Sequence, residues 1–423
     1  MAELIKNVFL ISVFLQYFNT LSARQIEVGE NQFCKTISSA LSMAKAGDEI
    51  IVNAGVYHEK NIEVKTRVTI TGKNSPVVDA QEGGQIFLIT HDSVKITGLT
   101  IQNTGQSAMN DYAGIRTQEA NFVVLDKNVF LNCCYGIFLA GSNDCTVSNN
   151  VFKGNPVHQQ LAGNGIHCWQ CQRISIHDND LTGHRDGIYF EFVVASVISN
   201  NHSYENLRYG LHFMFSDNNR FVKNVFERNG AGVAIMYSKH ITMLNNSYSE
   251  NVGGSSYGLL LKDIQDSQIL FNTFHKNTAA IYMEGVSRTV VLHNDFLENG
   301  WAMRVQSSCD DNTISFNNFF GNTFDIATNG TLVLNTYNCN FWDHYEGYDL
   351  NKNGIGDIPF RPVSVFGMLS ESMPESMIMM HSFSVTLIDR IEKVVPDVIP
   401  ENLIDKFPVM KKINNAYSGS VTQ

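Results

Sequence analysis

The sequence predicts an all-β fold: a right-handed parallel β-helix with three short strands per coil, an N-terminal capping helix and a short C-terminal helical arm. Three observations predict it. A small residue recurs at Gly114, Gly136, Gly165, Gly187, Gly210, Gly232, Gly258, Ala280 and Ala302; five of the eight intervals are 22 residues, one is 23, and those of 29 and 26 read as loops inserted into a turn. A fixed period of this kind marks a solenoid, whose units bury their apolar faces only by stacking on one another. An Asn-x-aromatic or Asn-x-aliphatic triplet keeps the same step at Asn128–Phe130, Asn150–Phe152, Asn179–Leu181, Asn224–Phe226, Asn246–Tyr248, Asn272–Phe274 and Asn294–Phe296. After each small residue comes a short run of period two, rich in β-branched and aromatic side chains, as in Gly187–Phe190 and Gly232–Met236. That reads as strand, with glycine supplying the corner, and no helical period of useful length lies between the strands. The recurring asparagines are expected to stack in register and satisfy backbone groups at the bend. At ~4.8 Å per coil, ~12 coils make a rod of roughly 55–60 Å.

The flanking segments follow from composition. Lys6, the apolar run Val8–Phe18 and Leu21–Ala23 read as a secretory signal peptide over 1–23, the alternative being an uncleaved anchor. Residues 24–48 form the N-terminal cap, with an alanine-rich amphipathic helix over Thr36–Ala46 stopped by Gly47-Asp48. Open β-helix ends expose strand edges and need such a plug. The β-helix occupies 49–362, a C-terminal arm 363–412, and a disordered tail 413–423. With 43% hydrophobic residues the chain can fill a large core, and a net charge of −11 argues against nucleic acid as a partner. Eight cysteines occur; Cys168 falls at an inward strand position and reads as core, with a thiolate metal site at Cys168-x-x-Cys171 as the alternative.

Counting from each small residue, positions one and three (Ile188 and Phe190, Leu211 and Phe213) point into the tube, so positions two and four point out. The outward set holds His167, Trp169, Tyr189, Glu191, His212, Met214 and Met236. An exposed strand face is ordinarily Thr, Ser, Lys and Asn; this one gathers imidazoles and thioethers. His167 and His212 are two coils apart, roughly 10 Å, and Met214 lies beside Met236. Imidazole and thioether together suit copper, Cu(I) above all. Packing under inserted loops or against a partner, and a site for a sugar or other ligand, are the competing readings.

At this point the residues point to a family. Arg208-Tyr-Gly-Leu-His-Phe-Met-Phe-Ser216, Arg228-Asn-Gly-Ala-Gly-Val-Ala-Ile-Met-Tyr-Ser-Lys239, Tyr257–Asp263, Ile281–Gly285 and the closing Gly347–Pro362 closely resemble the NosD family. The resemblance spans about Gly47 to Pro408 and departs at Cys168, where an aliphatic residue is expected. It implies a non-enzymatic periplasmic accessory protein for nitrous oxide reductase maturation. Such a protein acts with an ABC transporter (permease and ATPase) at the membrane and with a copper chaperone in building the copper–sulfur centre.

Asp349, Asn351, Asn353 and Asp357, with Gly354, have the oxygen spacing of a calcium loop, but Phe360 stands where its last glutamate belongs. A truncated loop, bound to calcium or closed on itself through Asx turns, is expected. Met373, Met377, Met380 and His381 crowd the arm, and a helix begun at Pro374 would put Met377, Met380 and His381 on one face. These residues read as an adaptable apolar surface or as copper ligands. Ile388 and Ile391 belong to a second amphipathic strip, so the arm as a whole reads as docking for the membrane partner. The rival function is a secreted polysaccharide lyase or epimerase, since β-helices often work on this same face. Its acid, base and cation types are present, but Arg116 and Lys262 lie several coils apart. A structural adaptor without metal is the third reading.

Overall fold

From Glu49–Val52 onward each strand pairs with the strand three places on, so three parallel sheets wind around one lumen. The computed structural model describes residues 24–107, 109–155, 162–330, 334–379, 382, 387 and 403–416. The 1–23 segment and Met380, His381, Ile388 and Ile391 lie outside the described residues. The first sheet has 14 strands, from Gln25–Val28 to Leu334–Asn338; the second has 12, from Ile62–Val64 to Phe324–Ala327; the third has 13, from Val56–Tyr57 to Phe341–Trp342. This is the parallel β-helix the repeat predicts.

The inward phase is as read. Ile115, Ile137, Ile166, Ile188, Leu211, Val233, Leu259, Ile281 and Met303 are all fully buried. From Phe226 onward the last residue of each asparagine triplet builds an aromatic column in the lumen. Its members Phe226, Tyr248, Phe274, Phe296, Phe319 and Trp342 stack at centroid spacings of 5.6, 4.5, 5.1, 4.7 and 4.1 Å. Cys168 and Cys171 are buried thiols, Cys171 bonding the Leu139 and Trp169 carbonyls, and burial pushes the Cys171 thiol up to about 11. A protonated thiol is a poor metal ligand, so the pair is core.

The asparagines form a continuous ladder through Asn128, Asn150, Asn179, Asn201, Asn224, Asn246, Asn272, Asn294, Asn317 and Asn340. Each side-chain carbonyl accepts from the preceding asparagine; Asn224 Oδ1, for example, receives Asn201 N at 2.9 Å and Asn201 Nδ2 at 3.0 Å. Each amide also donates to a strand carbonyl, as Asn224 Nδ2 does to Ile198 O at 3.0 Å. The buried amides of this ladder are thus paired, as burial demands.

The role given to glycine needs correction. Gly187 and Gly210 lie within strands, not at corners; a Cβ on Gly210 would stand 2.7 Å from the Gly232 carbonyl oxygen and 2.9 Å from Asn229 Nδ2. The residue is small for room. The corners use left-handed backbone at non-glycine residues, such as Lys223, Asn245, Phe271 and His293, each immediately before a ladder asparagine.

The N-terminal plug is the helix Ile37–Met43, shorter than predicted and begun by a reciprocal Thr36–Ser39 capping box. Glu59 accepts from Ile37 N and Ser38 N at 2.7 and 3.0 Å, placing a carboxylate where the helix dipole favours it. The strand Gln25–Val28 before it already belongs to the first sheet.

At the other end the arm is largely a lid. Ser364 caps the helix Val365–Ser372, and buried Phe366 meets Phe324 at 6.0 Å. Pro374–Met379 is a 3-10 helix, not the α-helix expected. Residues 403–416 return to the tube. Buried Asp405 ends the asparagine ladder, its Oδ2 accepting from Asn340 N, Asn340 Nδ2 and Trp342 Nε1 at 3.0, 3.1 and 3.0 Å. Residues 413–416, expected to belong to the tail, are held on the tube: Ile413 N donates to Asn318 Oδ1 at 2.8 Å and Asn415 Nδ2 to Asp295 Oδ1 at 3.0 Å. Among the described residues no helix is long and apolar enough to cross a membrane.

Candidate functional site

The outward residues of the second sheet stand in two register columns. One runs Phe138, His167, Tyr189, His212, Ala234; the other runs Trp169, Glu191, Met214, Met236, Lys262. In the first column the rings pile on one another, stacked, edge-on and tilted in turn. Phe138 to His167 is 4.3 Å, His167 to Tyr189 4.8 Å, and Tyr189 to His212 4.6 Å between centroids. Tyr189 therefore separates the two imidazoles, and they cannot share one ion.

Both histidines point away from the lumen, but neither is open to solvent: His167 is 8% and His212 4% exposed. This corrects the solvent-facing imidazoles that the alternation suggested. Alternation fixes direction, not cover. The cover comes from residues beside the columns: Tyr135 and Tyr209 pack on His167 and His212 at 5.7 and 4.9 Å, and the Arg116 guanidinium lies over Phe138.

The buried ring column is polar and incompletely paired. His167 Nε2, His212 Nδ1 and Nε2, Asn164 Oδ1 and Asp186 Oδ2 have no hydrogen-bond partner among the described residues. Asp186 is fully buried; its Oδ1 accepts from Tyr209 N at 3.3 Å, and its Oδ2 stands 3.5 Å from His212 Nδ1 and 3.8 Å from Arg185 Nε. Burial, helped by the nearby Arg185 and Arg116 charges, pulls His167 down to about 3, so it is a neutral imidazole at neutral pH; its Nδ1 accepts from Asn164 Nδ2 at 3.3 Å, which leaves the proton on the unpartnered Nε2. Burial and the neighbouring Glu191 and Asp186 push the Tyr189 phenol up to about 12. Sequence reasoning missed Asp186 and Asn164. The signal was available: they precede Gly187 and Gly165, where other coils carry Ala or an aromatic.

Met214 and Met236 are register partners and half-buried. Trp169 is exposed, while Tyr189 and Glu191 are half-buried. Next to the second column runs a feature the sequence reading did not single out: Phe192, Phe215 and Tyr237 stack at 5.3 and 5.1 Å along one corner, all exposed. All three adopt left-handed backbone, at φ 55°, 51° and 53°, which bulky residues seldom do.

The methionines of the arm are elsewhere. Met373 is exposed and Met377 lies in the 3-10 helix, which follows the helix packed on Phe324–Ala327. That strand is five places along the second sheet from Tyr209–Met214, or ~24 Å. Met373 and the Met214–Met236 pair do not form one site. In the closing loop the acidic oxygens face the loop's own amides. Asp349 Oδ2 accepts from Gly354 N at 2.8 Å, Asn351 Oδ1 from Asn353 N at 3.0 Å, Asn353 Oδ1 from Ile355 N at 2.8 Å and Asp357 Oδ2 from Leu350 N at 2.7 Å. These are the Asx turns of a self-closed loop.

Comparison with known proteins agrees in fold and names a family. Solved structures similar to this chain include the Dettilon tailspike protein (TM-score 0.56, 14% identity, 71% of this chain and 66% of that one) and PfbA, a surface adhesin of Streptococcus pneumoniae (TM-score 0.54, 12%, 70% and 88%). A family 28 exopolygalacturonase of Yersinia enterocolitica is also similar (TM-score 0.54, 9%, 74% and 78%). At these identities they speak for the β-helix alone. Two curated relatives bear the description "Probable ABC transporter binding protein NosD". One, from Stutzerimonas stutzeri, is 26% identical over 79% of this chain and 80% of its own length; the other, from Pseudomonas aeruginosa, is 24% identical over 79% and 82%. The family model described as "Periplasmic copper-binding protein (NosD)" matches residues 20–161 and 153–347. With well over half its length matched, the chain belongs to the NosD family.

Proposed function

We propose that this chain is a periplasmic accessory protein of nitrous oxide reductase maturation that hands copper over the outward face of its second sheet, without catalysing a reaction itself. One observation carries the reading: buried imidazoles with unpartnered nitrogens stand one register column from the Met214–Met236 pair, in a chain of a family described as copper-binding. Soft thioethers and borderline imidazole favour Cu(I) as cargo. His212, Met214 and Met236 are the residues to hold it, His167 being screened by Tyr189. The stacked, exposed Phe192–Phe215–Tyr237 ladder and Trp169 supply an apolar margin suited to a protein donor or acceptor. The partners in this reading are a copper chaperone, the reductase, and an ABC transporter, the last supported by the relatives' description. Met373 and the exposed Ile378 and Met379 at the lid suit docking toward the membrane.

Anaerobic competition for Cu(I) against a chromogenic chelator tests it. Replacing His212, Met214 and Met236 together with Ala is expected to weaken Cu(I) uptake by at least about tenfold, within the range seen when metal-site residues are removed. Unchanged uptake removes the face site, and loss only on deleting 366–381 moves it to the lid.

A second reading has one observation in its favour. Asp186, His212, Tyr189 and Arg185 gather an acid, a base and a cation more compactly than the sequence suggested. The burial of His212 and Asp186 leaves no open groove over them for a polysaccharide, which favours the first reading. Unsaturated-uronate release from alginate or pectate distinguishes them: the copper reading expects none.

A further inference from the structure

The lid end of the tube holds a second cluster, far from the histidine column. Asp325 lies in Phe324–Ala327, the last strand of the second sheet; Asp343 and His344 follow Phe341–Trp342, the last strand of the third. The turn between the last strands brings them together. His344 Nδ1 is 3.3 Å from Asp325 Oδ2 and 3.4 Å from Asp343 Oδ1. Among the described residues, this is the one group of three or more His, Cys, Asp or Glu whose ligand atoms all lie within 4.8 Å of one another.

His344 Nδ1 is hydrogen-bonded to Asp325 Oδ2, but this one ring nitrogen faces two carboxylates, and Asp325 Oδ1 and Asp343 Oδ1 have no hydrogen-bond partner among the described residues. Asp325 is 6% exposed, so its open oxygen is also cut off from bulk water. A buried anionic oxygen without a donor is unfavourable unless something positive is meant to sit beside it. The spacing says what. A tetrahedron with bonds of ~2.0–2.1 Å, the usual Zn–N and Zn–O lengths, has edges of ~3.3–3.4 Å. The two separations, 3.3 and 3.4 Å, are compatible with that edge, and all three ligand atoms lie within 4.8 Å of one another. Gly321 N donates to Asp343 Oδ2 at 2.6 Å and so aims Oδ1 at the imidazole, the arrangement that outer-shell partners of metal ligands provide.

We infer that Asp325, Asp343 and His344 form a site for a borderline divalent cation of the Zn2+ class. One imidazole and two carboxylates suit such an ion; they contain no soft donor for Cu(I), and the nitrogen disfavours Ca2+ and Mg2+. The His344 ring is half-exposed, so three protein ligands leave a fourth position open to water or to a donor from outside. The site would fasten the last strands of two sheets to each other, beneath the lid.

The test is metal binding by the full secreted chain after chelator treatment and removal of the chelator. Zn2+ is titrated against a fluorescent competitor, and Co2+ is added separately as a visible-absorption probe of a tetrahedral nitrogen–oxygen site. The wild type is expected to bind one Zn2+ at micromolar or tighter affinity, to give Co2+ d–d bands and to gain thermal stability with Zn2+. His344→Gln, at a half-exposed position compatible with folding, is expected to weaken Zn2+ binding by about 10–100-fold and abolish the Co2+ bands and the thermal shift, with Cu(I) uptake unchanged. Asp343→Asn is expected to do the same. No Co2+ bands in the wild type, or Zn2+ affinity and thermal shift alike in wild type and His344→Gln, would overturn the assignment.

Discussion

Two ladders climb this tube, one inside at the bend between the first and third sheets and one outside on the second sheet, and they differ in one respect. Inside, the asparagines from Asn128 to Asn340 close every hydrogen bond, each amide held by its neighbour and by a strand carbonyl. Outside, His167, Tyr189 and His212 stack in the same register with ring nitrogens left open. The parallel sheet delivers identical side-chain spacing to both. Where the repeat is obeyed the spacing is used for stability; where the repeat is broken, as at His167 and His212, polar capacity is held in reserve for something else. Stability and binding should therefore respond oppositely to substitution on the two sides.

The largest effect is expected at the end of the inner ladder. Asp405→Ala removes the acceptor for Asn340 N, Asn340 Nδ2 and Trp342 Nε1, leaving buried donors unpaired. A loss of about 3–5 kcal/mol is expected, read as a lower urea midpoint for the lid and last coils. Acid comes next. Burial pulls His184 down to about 4, with its Nε2 unpartnered. Its folded affinity for a proton is below the unfolded value, so the unfolded state takes up the proton first as pH falls. Stability is full above pH ~6.5 and falls between there and pH 4, by ~3 kcal/mol from this group at the lower limit; His184→Asn should flatten that slope in pH-dependent denaturation.

In mid-ladder, Asn224→Ala strips the acceptor from Asn201 and the donor to Ile198, and should cost about 2 kcal/mol or more. The outer column should behave otherwise. His212→Phe keeps the stack and removes two unpartnered nitrogens, so unfolding is expected to be unchanged or up to ~1 kcal/mol harder, while Cu(I) affinity falls. A stability loss as large as that of Asn224→Ala would erase the distinction between the ladders. The smallest effect is expected at the corner. Phe215→Gly loses stacking on Phe192 and Tyr237 but relieves a left-handed backbone, a net change within about 1 kcal/mol.

The sequence made the coil legible because a parallel solenoid leaves its register in the chain as a period. The phase of Ile188 and Leu211, the asparagine stacking and the N-terminal plug could all be read from it. What escaped was whatever depended on neighbours one coil away. Glycine was assigned to corners because glycine tolerates them; the reason for Gly210 is the Gly232 carbonyl above it. The true corners carry Lys, Asn, Phe and His alike, so composition could not mark them. For the candidate site, directions were legible and burial was not, since Tyr135, Tyr209 and the arginines close over the histidines from flanking positions. Asp325 and Asp343 are 18 residues apart and on different sheets, a pairing no local pattern announces. The methionine run of the arm suggested an α-helix by spacing, but Pro374–Met379 took the tighter turn.

The closure at Asp405 bears on how such a tube is made. Coils can stack one by one as the chain emerges, yet the hydrogen-bond donors of the last rung stay bare until a residue 65 positions beyond Asn340 arrives to stop them. Until then the growing face is a template that would accept another strand, including one from a different molecule. A polypeptide cut short before that aspartate would be an unfinished cylinder with an adhesive mouth, and end-to-end association is the fate to look for in it.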